Sequence, residues 1–194
     1  MDKVIFLDRD GTINEEVNYL HRPEDLNILP GVPQAIRQMN ETGFKVVVVT
    51  NQAGVARGYY TEADVEHLHE YMNEELKKDG AHIDQFFYCP HHPEHGIGEY
   101  KVVCHCRKPE TGMFEMAEQY YEIDKSHSYM IGDKEIDVQA GHNYGVTGIL
   151  VGTGYGTDIK KRVEEHQEVP VYDIYAADLM AAARWIAERE EHDR

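Results

Sequence analysis

The sequence has few basic residues, few cysteines and no long apolar run. Its 19 lysines and arginines stand against 36 aspartates and glutamates, which gives a formal net charge of −17. A chain this acidic repels nucleic acid and anionic membranes, so we expect neither as a partner. Because no apolar run approaches the ~20 residues that cross a bilayer and no signal peptide is visible, we expect a cytoplasmic protein.

The three cysteines are too few, and odd in number, for a disulfide framework of the kind that stabilises small secreted domains. The remaining composition, with 41% hydrophobic and 28% charged residues, is ordinary for a globular protein. A chain of 194 residues is long enough to bury a core. We therefore predict one domain over residues 1–194.

Short apolar runs alternate with stretches of helical periodicity. We predict strands at residues 4–7, 46–49, 86–88, 129–131, 149–151 and 169–174, and helices at 33–41, 61–78, 111–121, 135–144 and 176–189. The glycine-rich segment 152–156 is predicted to be a flexible loop. Alternation of this kind predicts an α/β fold with a Rossmann-like parallel sheet flanked by helices. In such sheets the ligand lies beyond the carboxyl ends of the strands.

Two aspartates lie where the first predicted strand ends. Asp8 and Asp10 are separated by one residue, and Gly11 follows them. Asp8 can attack phosphorus as a nucleophile, and Asp10 can exchange protons as a general acid and base. The two carboxylates would repel a phosphoryl group unless a cation lay between them, which favours Mg²⁺. Asp133, at the end of the fourth predicted strand, is placed to complete the Mg²⁺ shell.

All three cysteines lie on the segment 89–106. Cys89, His91, Cys104 and Cys106 form a Cys₃His set, a normal composition for a closed structural zinc site. We predict a zinc-binding loop at 89–106 in place of a large cap. The same segment contains three alternative zinc ligands, His92, His95 and His105. The cations directly after it, Arg107 and Lys108, supply the local positive charge that an acidic protein needs in order to hold a phosphate.

From residue 3 to residue 155 the order of motifs resembles the haloacid dehalogenase superfamily of phosphohydrolases. The motifs are D-x-D-G-T at 8–12, Thr50 after the second strand, Lys108, and Gly-Asp at 132–133. The resemblance implies that Asp8 is the nucleophile and Asp10 the general acid and base. It also implies that Thr50 and Lys108 bind the phosphoryl oxygens. The implied Mg²⁺ ligands are Asp8, the backbone carbonyl of Asp10, and Asp133.

A narrower resemblance rests on C-x-H, C-x-C, the pair Arg107-Lys108 and the segment 50–54. It is to a branch that contains phosphatases of heptose 1,7-bisphosphates and of histidinol phosphate. The resemblance implies a monomer that removes the 7-phosphate of D-glycero-D-manno-heptose 1,7-bisphosphate, a small sugar phosphate, with Mg²⁺ and a structural Zn²⁺. Such a step belongs to the synthesis of heptose nucleotides for lipopolysaccharide. The implied substrate contacts are Glu16, Val17, Asn18, Tyr19, Asn51, Gln52, Ala53, Arg107 and Lys134.

Three alternatives remain open at the level of the sequence. One is histidinol phosphate as the substrate, since the same branch carries the zinc loop. A second, of another class, is a zinc-bearing binding module on an inactive phosphatase scaffold, although Asp8 and Asp10 are both present. A third is a phosphotransferase that passes the phosphoryl group to an acceptor other than water.

Overall fold

Six parallel strands form one sheet in the computed structural model, which describes residues 1–192. The last two residues of the predicted domain, Asp193 and Arg194, lie outside the described residues. The strands are β1 (Val4–Leu7), β2 (Lys45–Asn51), β3 (Gln85–Cys89), β4 (Tyr129–Gly132), β5 (Thr147–Val151) and β6 (Ile174–Ala176). Their order across the sheet is β3-β2-β1-β4-β5-β6, and all neighbouring pairs are parallel. The predicted parallel sheet is confirmed.

Helices connect the strands. They are α1 (Val32–Glu41), α2 (Ala53–Ala56), α3 (Glu62–Lys77), α4 (Gly112–Ala117), α5 (Glu135–Tyr144), α6 (Gly156–His166) and α7 (Leu179–His192). Single 3₁₀ turns occur at Pro23–Asp25, Gly98–Tyr100 and Lys125–His127. Among residues 1–192, no helix is both long enough and apolar enough to span a membrane.

Both faces of the sheet are buried, which is why its strands are continuous apolar runs. Side chains alternate along β1, so Ile5 and Leu7 pack with α1, α3 and α7, whereas Val4 and Phe6 pack with α4 and α5. All four are fully buried. Each CH₂ group removed from water contributes about 0.8 kcal/mol, so these two layers supply most of the drive to fold.

The strand order places β1 at a topological switch point. From β1 the chain continues to β2 on one side, and it later returns to β4 on the other side. Ligands of open α/β sheets bind in the crevice at such a point, beyond the carboxyl ends of the strands. Asp8 follows β1, Thr50 lies at the end of β2, and Asp133 follows β4. The fold therefore brings these three residues, distant in sequence, to one edge.

The sixth strand and the segment before α6 differ from their predictions. Only Ile174 of the predicted strand 169–174 lies in β6, because Val169 is 89% exposed and Pro170 has no N–H for a ladder bond. The predicted flexible loop at 152–156 is a closely packed turn, and Gly156 begins the unpredicted helix α6. A Cβ at Gly154 would collide with the carboxylate of Asp133, so only glycine fits there.

Candidate active site

A buried lysine joins two aspartates at the carboxyl edge of the sheet. The Lys108 ammonium donates hydrogen bonds to Asp8 Oδ1 at 2.8 Å, to Asp137 Oδ1 at 2.7 Å and to the Val49 carbonyl at 2.8 Å. Burial disfavours the charged amine, but the two carboxylates outweigh that effect and raise the pKa of Lys108. Lys108 therefore stays positively charged directly beside Asp8.

Asp133 adds a third buried carboxylate at this edge. Its Oδ2 accepts a hydrogen bond from the Tyr155 backbone N–H at 3.0 Å, while its Oδ1 has no partner among the described residues. Carboxylate oxygens of Asp8, Asp133 and Asp137 lie within 4.8 Å of one another. Burial, followed by the negative charge of Asp8, raises the pKa of Asp133 to about 7. These crowded oxygens, one of them unpartnered, fit a hard divalent cation such as Mg²⁺.

The Asp10 carboxylate is held by donors from three side chains. Asn14 Nδ2 donates to Oδ1 at 3.0 Å, Gln52 Nε2 donates to Oδ2 at 3.1 Å, and Arg9 forms an ion pair with Oδ2 at 3.0 Å. Burial favours the neutral acid, but the charge of Arg9 together with these hydrogen bonds lowers the pKa of Asp10. The carboxyl group is therefore ionised and fixed in one orientation.

The end of β2 positions both Thr50 and the backbone of Lys108. Thr50 Oγ1 accepts a hydrogen bond from Gln52 Nε2 at 2.9 Å. The Asn51 amide pairs with Lys108 in both directions, since its Oδ1 accepts from the Lys108 N–H at 2.9 Å and its Nδ2 donates to the Lys108 carbonyl at 3.2 Å. Asn51 thus ties the segment that carries Lys108 to the sheet.

A cavity of about 300 Å³ opens above these residues. Of the residues predicted from the sequence, those that line it are Asp8, Asp10, Glu16, Asn18, Tyr19, Thr50, Asn51, Gln52, Ala53, Arg107, Lys108 and Lys134. Asp133 is buried beside Asp8. Val17 lies outside the cavity and lines a neighbouring groove with Arg22 and Asp25. The volume suits a small phosphorylated metabolite.

Two cations of the cavity lining are fixed by contacts outside the carboxylate cluster. Lys134 Nζ donates to Glu16 Oε2 at 2.9 Å and lies 5.2 Å from the centre of the Tyr155 ring. Arg107 Nη1 donates to the backbone carbonyl of His91 at 3.3 Å. With Lys108, the lining therefore contains three cations, although the whole chain is strongly acidic.

The segment from Cys89 to Cys106 folds so that its cysteines meet one histidine. Cys89 is the last residue of β3, and its Sγ lies 3.8 Å from His91 Nδ1. Cys106 Sγ lies 3.7 Å from the same nitrogen, and Cys104 Sγ belongs to the same group of atoms, all within 4.8 Å. Interaction with Cys106 lowers the pKa of the Cys89 thiol to about 6. Three sulfurs and an imidazole nitrogen at these distances are a donor set that zinc prefers.

The alternative histidines lie outside this cluster. His105 Nε2 is 2.9 Å from Glu115 Oε1 on α4, and His92 Nδ1 accepts from the backbone N–H groups of Glu94 and His95. Within residues 1–192 the only other group of possible metal ligands is formed by the three buried aspartates.

A family model described as "HAD-hyrolase-like" matches residues 105–182. The D-glycero-beta-D-manno-heptose-1,7-bisphosphate 7-phosphatase of Escherichia coli O6:H1 is 48% identical over 151 residues, which are 77% of this chain and 80% of that protein. The chain belongs to the HAD-like phosphatases. A second relative is the D-glycero-alpha-D-manno-heptose-1,7-bisphosphate 7-phosphatase of Photorhabdus laumondii subsp. laumondii. It is 42% identical over 156 residues, which are 80% of this chain and 85% of that protein.

A solved structure of the same family supports the fold of this HAD-like phosphatase. The D,D-heptose 1,7-bisphosphate phosphatase from B. bronchiseptica, crystallised with magnesium and phosphate, matches with a TM-score of 0.82 at 32% identity. The match covers 96% of this chain and 99% of that one. The predicted Rossmann-like sheet is confirmed, and the protein is a phosphoric monoester hydrolase.

Arg9, Asn14, Tyr60 and His69 are among the residues of the phosphatase site that were not predicted from the sequence. Arg9 and Asn14 contact Asp10, Tyr60 contacts Gln52, and His69 contacts Arg9. Only Arg9 left a signal, as a cation between two aspartates, and a lone surface charge would look the same. Asn14, Tyr60 and His69 reach the site through tertiary contacts, which no local sequence pattern shows.

Proposed function

We propose that this phosphatase removes the 7-phosphate of D-glycero-D-manno-heptose 1,7-bisphosphate. Relatives at 42% and 48% identity carry that name, one for each anomer. The observation that carries the proposal is the cavity itself, where Asp8 and Lys108 lie at the floor and Arg107 and Lys134 also belong to the lining. A bisphosphate needs positive charge beyond the Lys108 that would hold the reacting phosphate, and Arg107 and Lys134 would supply it.

In the proposed reaction an Asp8 oxygen attacks phosphorus while the bond from phosphorus to the C7 oxygen breaks. Lys108 neutralises the transferring oxygens, and Thr50 offers them a hydroxyl donor. Asp10 gives a proton to the leaving alkoxide and later takes one from the water that hydrolyses the phospho-aspartate. A phosphate dianion brought close to Asp10 favours its protonated form, which offsets the effect of Arg9.

The same site is proposed to bind Mg²⁺ through Asp8, Asp133 and the backbone carbonyl of Asp10. The unpartnered Oδ1 of Asp133 supports this assignment, as do the crowded carboxylates. A bound Mg²⁺ supplies charge neutralisation for the phosphoryl oxygens. Asp137 would remain the partner of Lys108, because its Oδ2 also accepts from the Lys134 N–H at 3.0 Å.

Arg107 and Lys134 are proposed to bind the second phosphate of the substrate. Both line the cavity, and Arg107 offers a planar fork that suits phosphate oxygens. Glu16, Asn18 and Tyr19 contribute further polar atoms on the side of the sugar. Histidinol phosphate carries an ammonium group where the bisphosphate carries a phosphate, so these two cations disfavour it.

The deciding experiment compares phosphate release with Mg²⁺ from both anomers of heptose 1,7-bisphosphate, histidinol phosphate, fructose 1,6-bisphosphate and an aryl phosphate. We expect kcat/KM for one heptose anomer to exceed that for histidinol phosphate by about 100-fold or more, since two phosphate contacts are gained. Phosphorus NMR should show heptose 1-phosphate as the product. Preference for histidinol phosphate would replace the substrate, and no release from any compound would favour a binding module.

We further propose that Cys89, His91, Cys104 and Cys106 hold a structural zinc ion. Four protein donors leave no open position, so the ion would not take part in the chemistry. The ion would instead hold in place the backbone that carries Lys108, because Cys106 lies two residues before that lysine. The segment between β3 and α4 contains a single 3₁₀ turn, Gly98–Tyr100, and has little core of its own.

Removal of the zinc ion tests this second proposal. The purified protein should contain about one zinc per chain by elemental analysis, and Cys106→Ser should lose it. A strong chelator should lower the melting temperature by about 5 °C or more, because ligand binding is coupled to folding of the loop. The matched control is His105→Ala, which removes a histidine of the same loop that contacts Glu115 instead of the cluster. Loss of zinc from that variant as well would contradict the assigned ligands.

A further inference from the structure

Arg9 is the largest fully buried side chain among the described residues. It lies between Asp8 and Asp10, yet its side chain points away from solvent and is 0% exposed. Its guanidinium contacts four other residues, Asp10, Leu20, Gln52 and His69. A buried cation is costly unless it is paired and its donors are satisfied, so this position needs a physical explanation.

The fork of Arg9 spans the Asp10 carboxylate. Nε donates to Oδ1 at 3.2 Å, and Nη2 donates to Oδ2 at 3.0 Å and to Oδ1 at 3.2 Å. Nη2 also lies 3.1 Å from Gln52 Oε1 and 3.1 Å from the Leu20 carbonyl. Asp10 is the carboxylate that forms the ion pair with Arg9 in the described part of the chain. The two groups thus neutralise each other inside the protein.

The remaining nitrogen of Arg9 is held by a histidine on α3. Arg9 Nη1 lies 3.2 Å from His69 Nε2, and the His69 ring stacks on Phe86 at 4.6 Å. Burial and then the charge of Arg9 hold the pKa of His69 well below its ordinary value. A neutral His69 can accept the hydrogen bond at Nε2, so the guanidinium has an acceptor on each side.

Gln52 closes the network toward the cavity. Its Oε1 accepts from Arg9 and from the Tyr60 hydroxyl at 2.7 Å, which leaves its Nε2 free to donate to Asp10 and Thr50. Arg9 therefore fixes Asp10 by direct contact. It also fixes Asp10 indirectly, because it orients the Gln52 amide that donates to the same carboxylate. Of the residues in this network, only Asp10, Thr50, Gln52 and Tyr60 line the cavity.

We propose that Arg9 is a positioning residue that orients the Asp10 carboxyl group toward the leaving oxygen and toward the hydrolytic water. It acts through Asp10, and it does not line the cavity that would hold the substrate. The proposal rests on the acid and base role of Asp10 given above, but not on the identity of the sugar. It predicts that loss of Arg9 slows the steps that need proton transfer far more than the steps that do not.

The test uses leaving groups that differ in their need for a proton. Arg9→Met should slow single-turnover cleavage of an alkyl phosphate by about 100-fold, the usual range for loss of acid–base catalysis. Cleavage of a dinitrophenyl phosphate needs no proton on the leaving group, so its phenolate burst should stay within about threefold of the parent. Steady-state turnover of that aryl substrate should still fall, because the water must be deprotonated, and phospho-enzyme should accumulate.

Controls separate this role from a general loss of structure. Arg162→Met removes a surface arginine paired with Glu135 and Glu168, and should leave all rates unchanged. Arg9→Lys keeps the charge without the fork and should fall between parent and Arg9→Met. If Arg9→Met does not fold, Arg9→Met with Asp10→Asn removes both buried charges, and its aryl burst should match that of Asp10→Asn alone. Equal losses on alkyl and aryl phosphates in a folded variant would overturn the proposal, whatever the sugar substrate proves to be.

Discussion

Asp8→Asn should lower phosphate release by at least about 10⁴-fold, as removal of a nucleophile does in other covalent mechanisms. The amide keeps the shape of the side chain and offers Lys108 an oxygen acceptor, so the fold should survive. It also removes one of three carboxylates that lie within 4.8 Å of each other. Since the charge of Asp8 contributes to the raised pKa of Asp133, that pKa should fall in the variant.

The measurement is phosphate release under saturating Mg²⁺, together with a thermal melt of the metal-free protein. The melting temperature should stay equal or rise, because repulsion among the buried carboxylates is relieved. Asp79→Asn, the same substitution at an exposed position after α3, is the matched control and should keep parental turnover. Substantial turnover by purified Asp8→Asn would rule out the phospho-aspartate mechanism.

Lys108→Met should be the most destabilising single change at the site. Lys108 is 2% exposed and compensates both Asp8 and Asp137, so its loss leaves two carboxylates buried without their cation. Breaking a buried pair in this way costs about 3–5 kcal/mol of unfolding free energy. Activity should be lost as well, because the transferring oxygens lose their nearest protein cation. Urea unfolding of the metal-free protein measures the first effect, and phosphate release measures the second.

A second substitution tests the cause of that instability. Lys108→Met combined with Asp137→Asn removes one of the stranded carboxylates, so part of the lost stability should return while activity should not. Lys77→Met, which breaks a surface pair with Glu74, should leave stability nearly unchanged. If the double variant is no more stable than Lys108→Met, then packing of the lysine stem, and not charge compensation, explains the loss.

The main sheet could be predicted because its strands are buried on both faces. Val46 to Val49 is a continuous apolar run that no amphipathic helix would contain, and polar residues mark where each such run ends. Because parallel strands end at the same edge, Asp8, Thr50 and Asp133 could be grouped without knowledge of any contact. That grouping is the part of the site that depends on local pattern alone.

Other parts of the structure depend on contacts that are remote in sequence. Arg9 looks like a surface charge until Gln52, 43 residues away, and His69, 60 residues away, supply its acceptors. The turn at 152–156 was predicted to be flexible because glycine usually signals freedom. At Gly154 glycine instead permits close packing against Asp133. Close packing of this kind depends on the tertiary fold and produces no periodic pattern in the sequence.

The division between strand ends and loops has a consequence for how the family diversifies. Asp8, Thr50 and Asp133 are nearly inaccessible and are set by the sheet, whereas Glu16, Tyr19 and Arg107 lie on connecting segments. Loops tolerate replacement far better than strands do, because few core contacts depend on them. Natural selection can therefore exchange the segments that read the sugar while it keeps the phosphoryl chemistry untouched. A new substrate then requires changes in the connecting segments that line the cavity, while the catalytic residues at the strand ends stay the same.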